Sequence, residues 1–129
     1  MVRWVKINIK DLKEQLYKCY SKDLCYPKIR DNWDENNKYF GMCTITSLIV
    51  NDYFGGEICK IYVDKISHYF NLINNEMIDL TAKQFENKVD YSNYEIVKRE
   101  DILTEDTKHR YNLLKKRLEE IKWVRKILL

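Results

Sequence analysis

Residues 41–63 read GMCTITSLIVNDYFGGEICKIYV, and the fold turns on what this stretch does either side of its paired glycines. From Cys43 to Phe54 the apolar residues Ile45, Leu48, Ile49, Val50, Tyr53 and Phe54 cover most of a helix circumference, which predicts a central, buried helix over 43–54. Gly55 and Gly56 stop it, because glycine adopts the left-handed conformation that closes a helix. EICKIYV then carries the β-branched and aromatic residues of a strand.

Downstream, SHYFNLI and EMIDLT are separated by Asn74 and Asn75, a pair that tolerates the positive φ of a hairpin turn. The expectation is three antiparallel strands over 57–81. If the two asparagines are the central turn residues, Ile73 faces Glu76, His68 opposes Thr81 and Phe70 opposes Asp79. His68 and Asp79 are then diagonal neighbours on one face, about 7 to 8 Å apart at Cβ. TAKQFENK reads as a short helix or turn and NYEIVKRE as an edge strand. From 105 to 128 Tyr111, Leu114, Leu118, Ile121 and Val124 recur at three- and four-residue steps, predicting a long closing helix. Lys115, Lys116, Arg117, Lys122, Arg125 and Lys126 take its other faces and read as solvated surface.

Upstream, residues 10–40 read as a helix and a loop. Leu12, Leu16 and Cys19 or Tyr20 give a first amphipathic helix from Lys10 to Ser21. Residues 22–41 hold the only proline and no apolar period, a loop of a length that often serves binding or catalysis.

With 129 residues, 45% hydrophobic and 33% charged, the chain suits one α+β domain over 1–129. A net charge of +3 gives no ground for a nucleic-acid partner, and the ten tyrosines are expected to pack rather than stack on bases. The N-terminus meets a charge every few residues, so neither a signal peptide nor a membrane span is read there, and a cytoplasmic location is expected. Cys19, Cys25, Cys43 and Cys59 are accordingly expected as reduced thiols. With only His68 and His109 beside them and no C-x-x-C pair, neither a metal site nor another cofactor is expected.

Cys43 differs from its companions by position. A helix N-terminus carries about half a positive charge from unpaired N–H groups and favours a thiolate. A thiolate nucleophile also needs a proton carrier, and His68 is the better placed of the two histidines. Asp79 would hold the imidazole tautomer and favour its charged form. The backbone N–H of Cys43 and the side-chain amide of Asn36 or Asn37 are the candidate oxyanion donors.

Three separated motifs carry a family resemblance: YFGMCTITSLIVNDYFGGEI, SHYFNLINNEMIDLTAKQF, and KREDIL with RYNLLKKRL. In that order they resemble the YunG-like family of small bacterial proteins, from about residue 10 to 118. The resemblance places Cys43, His68, Asn71, Asp79 and Gln84 on family motif positions, adding Asn71 and Gln84 to the oxyanion or substrate candidates. More distantly, the Cys, His, Asp order is similar to the papain-like superfamily in its transglutaminase and NlpC/P60 branches. That likeness implies a papain-like fold, its cysteine-bearing helix packed on a small antiparallel sheet, and a cysteine hydrolase or acyl transferase acting on an amide-type bond of a peptide or small molecule. Met42 departs from the pattern, standing where the resemblance implies glutamine. The alternative is a catalytically silent binding or regulatory module on the same fold. Neither reading specifies an oligomeric state.

Overall fold

The computed structural model describes residues 7–128, with side chains to residue 122. Helix α1 (Ile9–Cys19) starts where Asn8 accepts a hydrogen bond from the Asp11 N–H at 2.8 Å, and it buries Leu12, Gln15, Leu16 and Cys19 at helical spacing. It ends two residues before Ser21 because Tyr20 turns extended and sends its hydroxyl to Thr46 Oγ1, 2.6 Å away in the core.

The segment between α1 and α2 is held in place although it has no apolar period. Three short 3₁₀ turns (Lys22–Leu24, Pro27–Asn32, Glu35–Asn37) carry it, and Leu24 and Cys25 are buried. The Arg30 guanidinium donates to the Cys25 and Asp23 carbonyls, and Arg110 donates to the Leu24 carbonyl. Gly41 closes it at φ 74°, where a Cβ would fall 2.3 Å from Cys25 Sγ. Only glycine fits there.

Helix α2 (Cys43–Phe54) is the buried helix the sequence predicts: Ile45, Thr46, Ser47, Leu48, Ile49 and Val50 are all inaccessible. Gly55 (φ 70°) caps it, and the following Gly56 passes so close to β2 that a Cβ would meet the Leu72 carbonyl oxygen at 2.3 Å.

The sheet is antiparallel, ordered β3-β2-β1-β4, from β1 (Glu57–Val63), β2 (Ile66–Ile73), β3 (Glu76–Ile78) and β4 (Glu95–Val97). Both tight turns, Asp64–Lys65 and Asn74–Asn75, have two residues at positive φ, the geometry that matches strand twist. Ile73 pairs with Glu76, Leu72 with Met77 and Asn71 with Ile78, the expected register. The third strand is shorter than expected. Residues 79–81 leave the ladder because the Asp79 carboxylate turns to His68 and to the Thr81 N–H.

One face of the sheet packs Ile58, Tyr69, Ile73, Ile78 and Val97 into the main core with α1, α2 and the last helix. A smaller core gathers Cys59, Ile61 and Phe70 under Phe85, Val89 and Tyr91 of the following loop. A one-turn helix α3 (Arg99–Ile102) leads into α4 (Glu105–Leu128), which docks Tyr111, Leu114 and Leu118 on the core. Two basic residues of α4 depart from the solvated reading, whereas Lys115 and Lys116 are exposed as expected. Arg117 pairs with Asp23 at 2.5 Å and donates to Ser21 Oγ, while Lys122 lies 4.0 Å from the Tyr53 ring centre. Arg110, absent from that basic set, is buried and also pairs with Asp106 at 2.8 Å. Val124, Arg125 and Lys126 lie outside the described side chains.

Candidate functional site

At the N-terminal end of α2 no side chain caps the helix, since position 42 is a methionine whose side chain is fully buried. The first-turn N–H groups are thus without a side-chain acceptor, and Cys43, half-buried, stands at their head. The other cysteines are buried free thiols, and desolvation pushes Cys19, Cys25 and Cys59 each up to about 11.

His68 reaches the same place from β2. It is fully buried, and its Nε2 lies 2.6 Å from Asp79 Oδ2. The edge of the Phe85 ring meets the imidazole, with centres 4.8 Å apart. Asp79 is itself held from behind. Tyr91 donates its hydroxyl to Oδ2 at 2.7 Å, while the Thr81 N–H and hydroxyl donate to Oδ1 at 3.2 and 3.4 Å. Three donors and the imidazole therefore share one buried carboxylate.

Burial alone would raise the Cys43 thiol, but the hydrogen bond and charge of His68, the Tyr69 backbone N–H and the Thr44 hydroxyl outweigh it, and the net shift is downward. Burial alone would lower His68; the hydrogen bonds and charges of Asp79 and Cys43 reverse this and raise it. The directions are those of a proton drawn from sulfur to ring. Tyr69 lies beyond the point where β3 stops, at the partner of Asn71, and its backbone N–H adds to the lowering of the thiol.

The four amide candidates occupy different places. Gln84 is at the site: its Nε2 lies 3.2 Å from His68 Nδ1 and 3.1 Å from Thr81 Oγ1, and its Oε1 accepts from the Gly41 N–H at 3.4 Å. Asn37 sits one layer back, donating its amide to the Gln84 carbonyl at 3.1 Å. Asn36 is exposed, and its backbone N–H caps onto Asp34. Asn71 is buried, its amide given to the Ser47 carbonyl at 3.0 Å, where it ties β2 to α2. Sequence reasoning missed Thr81, Tyr91 and Phe85 as parts of the site. The expected register set Thr81 opposite His68, but residues 79–81 are outside the ladder and Thr81 joins the site through Asp79 and Gln84 instead; Tyr91 and Phe85 come from a loop with no periodic signal.

His109, the other histidine, is exposed on α4. Among the described residues no group of three or more His, Cys, Asp and Glu side chains is disposed to hold a metal ion, and no helix is long and apolar enough to cross a membrane.

Fold and site together define a small α+β protein with a cysteine, a histidine and an aspartate gathered where a buried helix meets a four-stranded antiparallel sheet. The chain belongs to the YunG family, whose model, described as YunG protein, matches residues 8–122. It is 39% identical over 59 residues to "Uncharacterized protein YunG" of Bacillus subtilis (strain 168), a match covering 46% of this chain and 51% of that protein. The chain thus spans about half the length of the curated relative it matches. No solved structure matches it.

Proposed function

We propose that this protein is a papain-like cysteine hydrolase or acyl transferase acting on an amide-type bond of a peptide or small molecule, with Cys43 as nucleophile, His68 as acid and base, and Asp79 as orienter. The observation that carries the reading is the division of the imidazole: Nε2 is fixed by Asp79, so proton exchange with the half-buried thiol falls to Nδ1, the nitrogen that the Gln84 amide also meets at 3.2 Å. Asp79 is in turn fixed by three further donors, which holds the ring in this orientation.

The reaction runs as follows. His68 takes the thiol proton, and the Cys43 sulfur attacks the substrate carbonyl carbon as the π electrons move to oxygen. The Cys43 N–H, at the uncapped start of α2, stabilises that oxyanion. On collapse the C–N bond breaks, the imidazolium protonates the leaving amine, and a thioester remains on Cys43. His68 then removes a proton from water or from an acceptor amine, whose attack releases the acyl group and restores the thiol. With Met42 buried in the core, no amide comes from the position before Cys43, and the side-chain amide nearest the ring is that of Gln84.

An activated acetyl ester tests this directly. Intact-mass and peptide mass spectrometry should find an acetyl group on Cys43, formed together with released alcohol, slowly hydrolysed, and absent from Cys43→Ser. A folded protein that forms no adduct at Cys43 would support the silent binding module on the same fold.

A further inference from the structure

The hydrogen bonds around Gln84 fix the direction of its amide. The Gly41 N–H can only donate, so the atom 3.4 Å away must be Oε1. The Thr81 hydroxyl donates to Asp79 Oδ1, so it accepts from Gln84 Nε2. One Nε2 hydrogen remains, and it faces His68 Nδ1 at 3.2 Å. A donor there requires a lone pair on Nδ1, which places the single ring proton on Nε2, against Asp79. The network is complete in this one arrangement. Imidazolium at His68 would set two donors, Nδ1–H and the amide, against each other.

We propose that Gln84 is a positioning residue that latches His68 as its neutral Nε2–H tautomer, by donating to the nitrogen that must receive the proton of Cys43. The inference rests on the reading of Cys43 and His68 as the reacting pair. Every other group bearing on the ring favours the transfer or is neutral to it. Asp79 and Cys43 draw a proton onto the imidazole, Tyr91 and Thr81 act only through Asp79, and Phe85 presents a ring edge. Tyr20, Tyr69 and Cys25 are coupled to the thiol rather than to the ring. Gln84 alone opposes it. Because the same amide also holds the Gly41 N–H, the latch is fastened to the corner that carries Cys43, and breaking that contact frees the amide from both.

The latch is read by ring protonation and by thiol reactivity. Histidine nitrogen NMR on isotopically labelled protein at neutral pH should show a population of His68 with an unprotonated Nδ1, in exchange with the imidazolium that accompanies the Cys43 thiolate. Gln84→Glu, which keeps the shape but can only accept when ionised, should shift His68 to the doubly protonated ring. Gln84→Ala should raise the iodoacetamide rate of Cys43 at mildly acid pH about fivefold, the equilibrium equivalent of one net hydrogen bond. If His68 is already doubly protonated in the unaltered protein, or if its ring is the same in Gln84→Glu and the rate the same in Gln84→Ala, the latch is wrong while a reactive Cys43 still stands. If Cys43 reacts no faster than the buried cysteines, the parent reading fails instead, and the NMR comparison alone decides the tautomer.

Discussion

The two ends of α2 are built on opposite plans. At the C-terminal end, Arg99 donates to the Leu48 carbonyl and Asn51 Oδ1, pairs with Asp52 at 2.8 Å, and donates to the Tyr111 hydroxyl, which itself donates to Asp52. A fixed cation lies where the helix dipole is negative, and all its partners are present. At the N-terminal end no side chain caps the helix, and a half-buried thiol meets a buried imidazole whose proton has two possible homes. The first end is finished; the second is left able to change charge. On the proposed reading, stability and chemistry lie at opposite poles of one helix of 12 residues.

Substitutions at the two ends should therefore fail in different ways. The largest effect on reactivity is expected from His68→Ala, which removes the hydrogen bond and charge that lower the thiol. Alkylation of Cys43 at mildly acid pH should fall further than in any of the variants below, because the thiol loses the partner that lowers it. Asp79→Asn should slow it less, since the ring remains but loses the carboxylate that draws a proton onto it. At the other pole Arg99→Ala should lower unfolding free energy by about 1–3 kcal/mol, through hydrogen bonds left unmade, and leave the Cys43 rate unchanged. A change in Cys43 reactivity there would dissolve the contrast. Tyr91→Phe is the mildest case, removing one of the donors to Asp79, and a change of about threefold or less in alkylation rate is expected.

The contrast was half legible in the sequence. The all-round apolar pattern of 43–54 and its two closing glycines gave α2, and the asparagine pair gave the hairpin register that brings His68 towards Asp79. Strand propensity in IDLT argued for a longer β3, and it lost to the hydrogen bonds Asp79 makes outside the ladder. Arg99 gave no signal, because its partners on α2 are 47 to 51 residues away and Tyr111 belongs to yet another helix. The burial of Arg110 was equally hidden: beside its pair with Asp106 it donates to the Leu24 carbonyl, and a carbonyl leaves no trace in residue type. Gln84 could be marked as a candidate from its motif position. Its grip on both His68 and Gly41 needed the coordinates.

The central claim is that His68 holds Cys43 partly as a thiolate, and the alkylation rate of each cysteine against pH measures it. Cys43 should titrate below the ordinary thiol value of 9.0, while the folded protein shields Cys19, Cys25 and Cys59, whose thiols lie near 11. At pH 6, where an ordinary thiol is less than about 1% ionised, Cys43 should be modified well ahead of the other three, and His68→Ala should move its midpoint upward. A Cys43 midpoint at or above 9.0, or one indifferent to His68, would contradict the account and leave Cys43 a small apolar residue at a helix start.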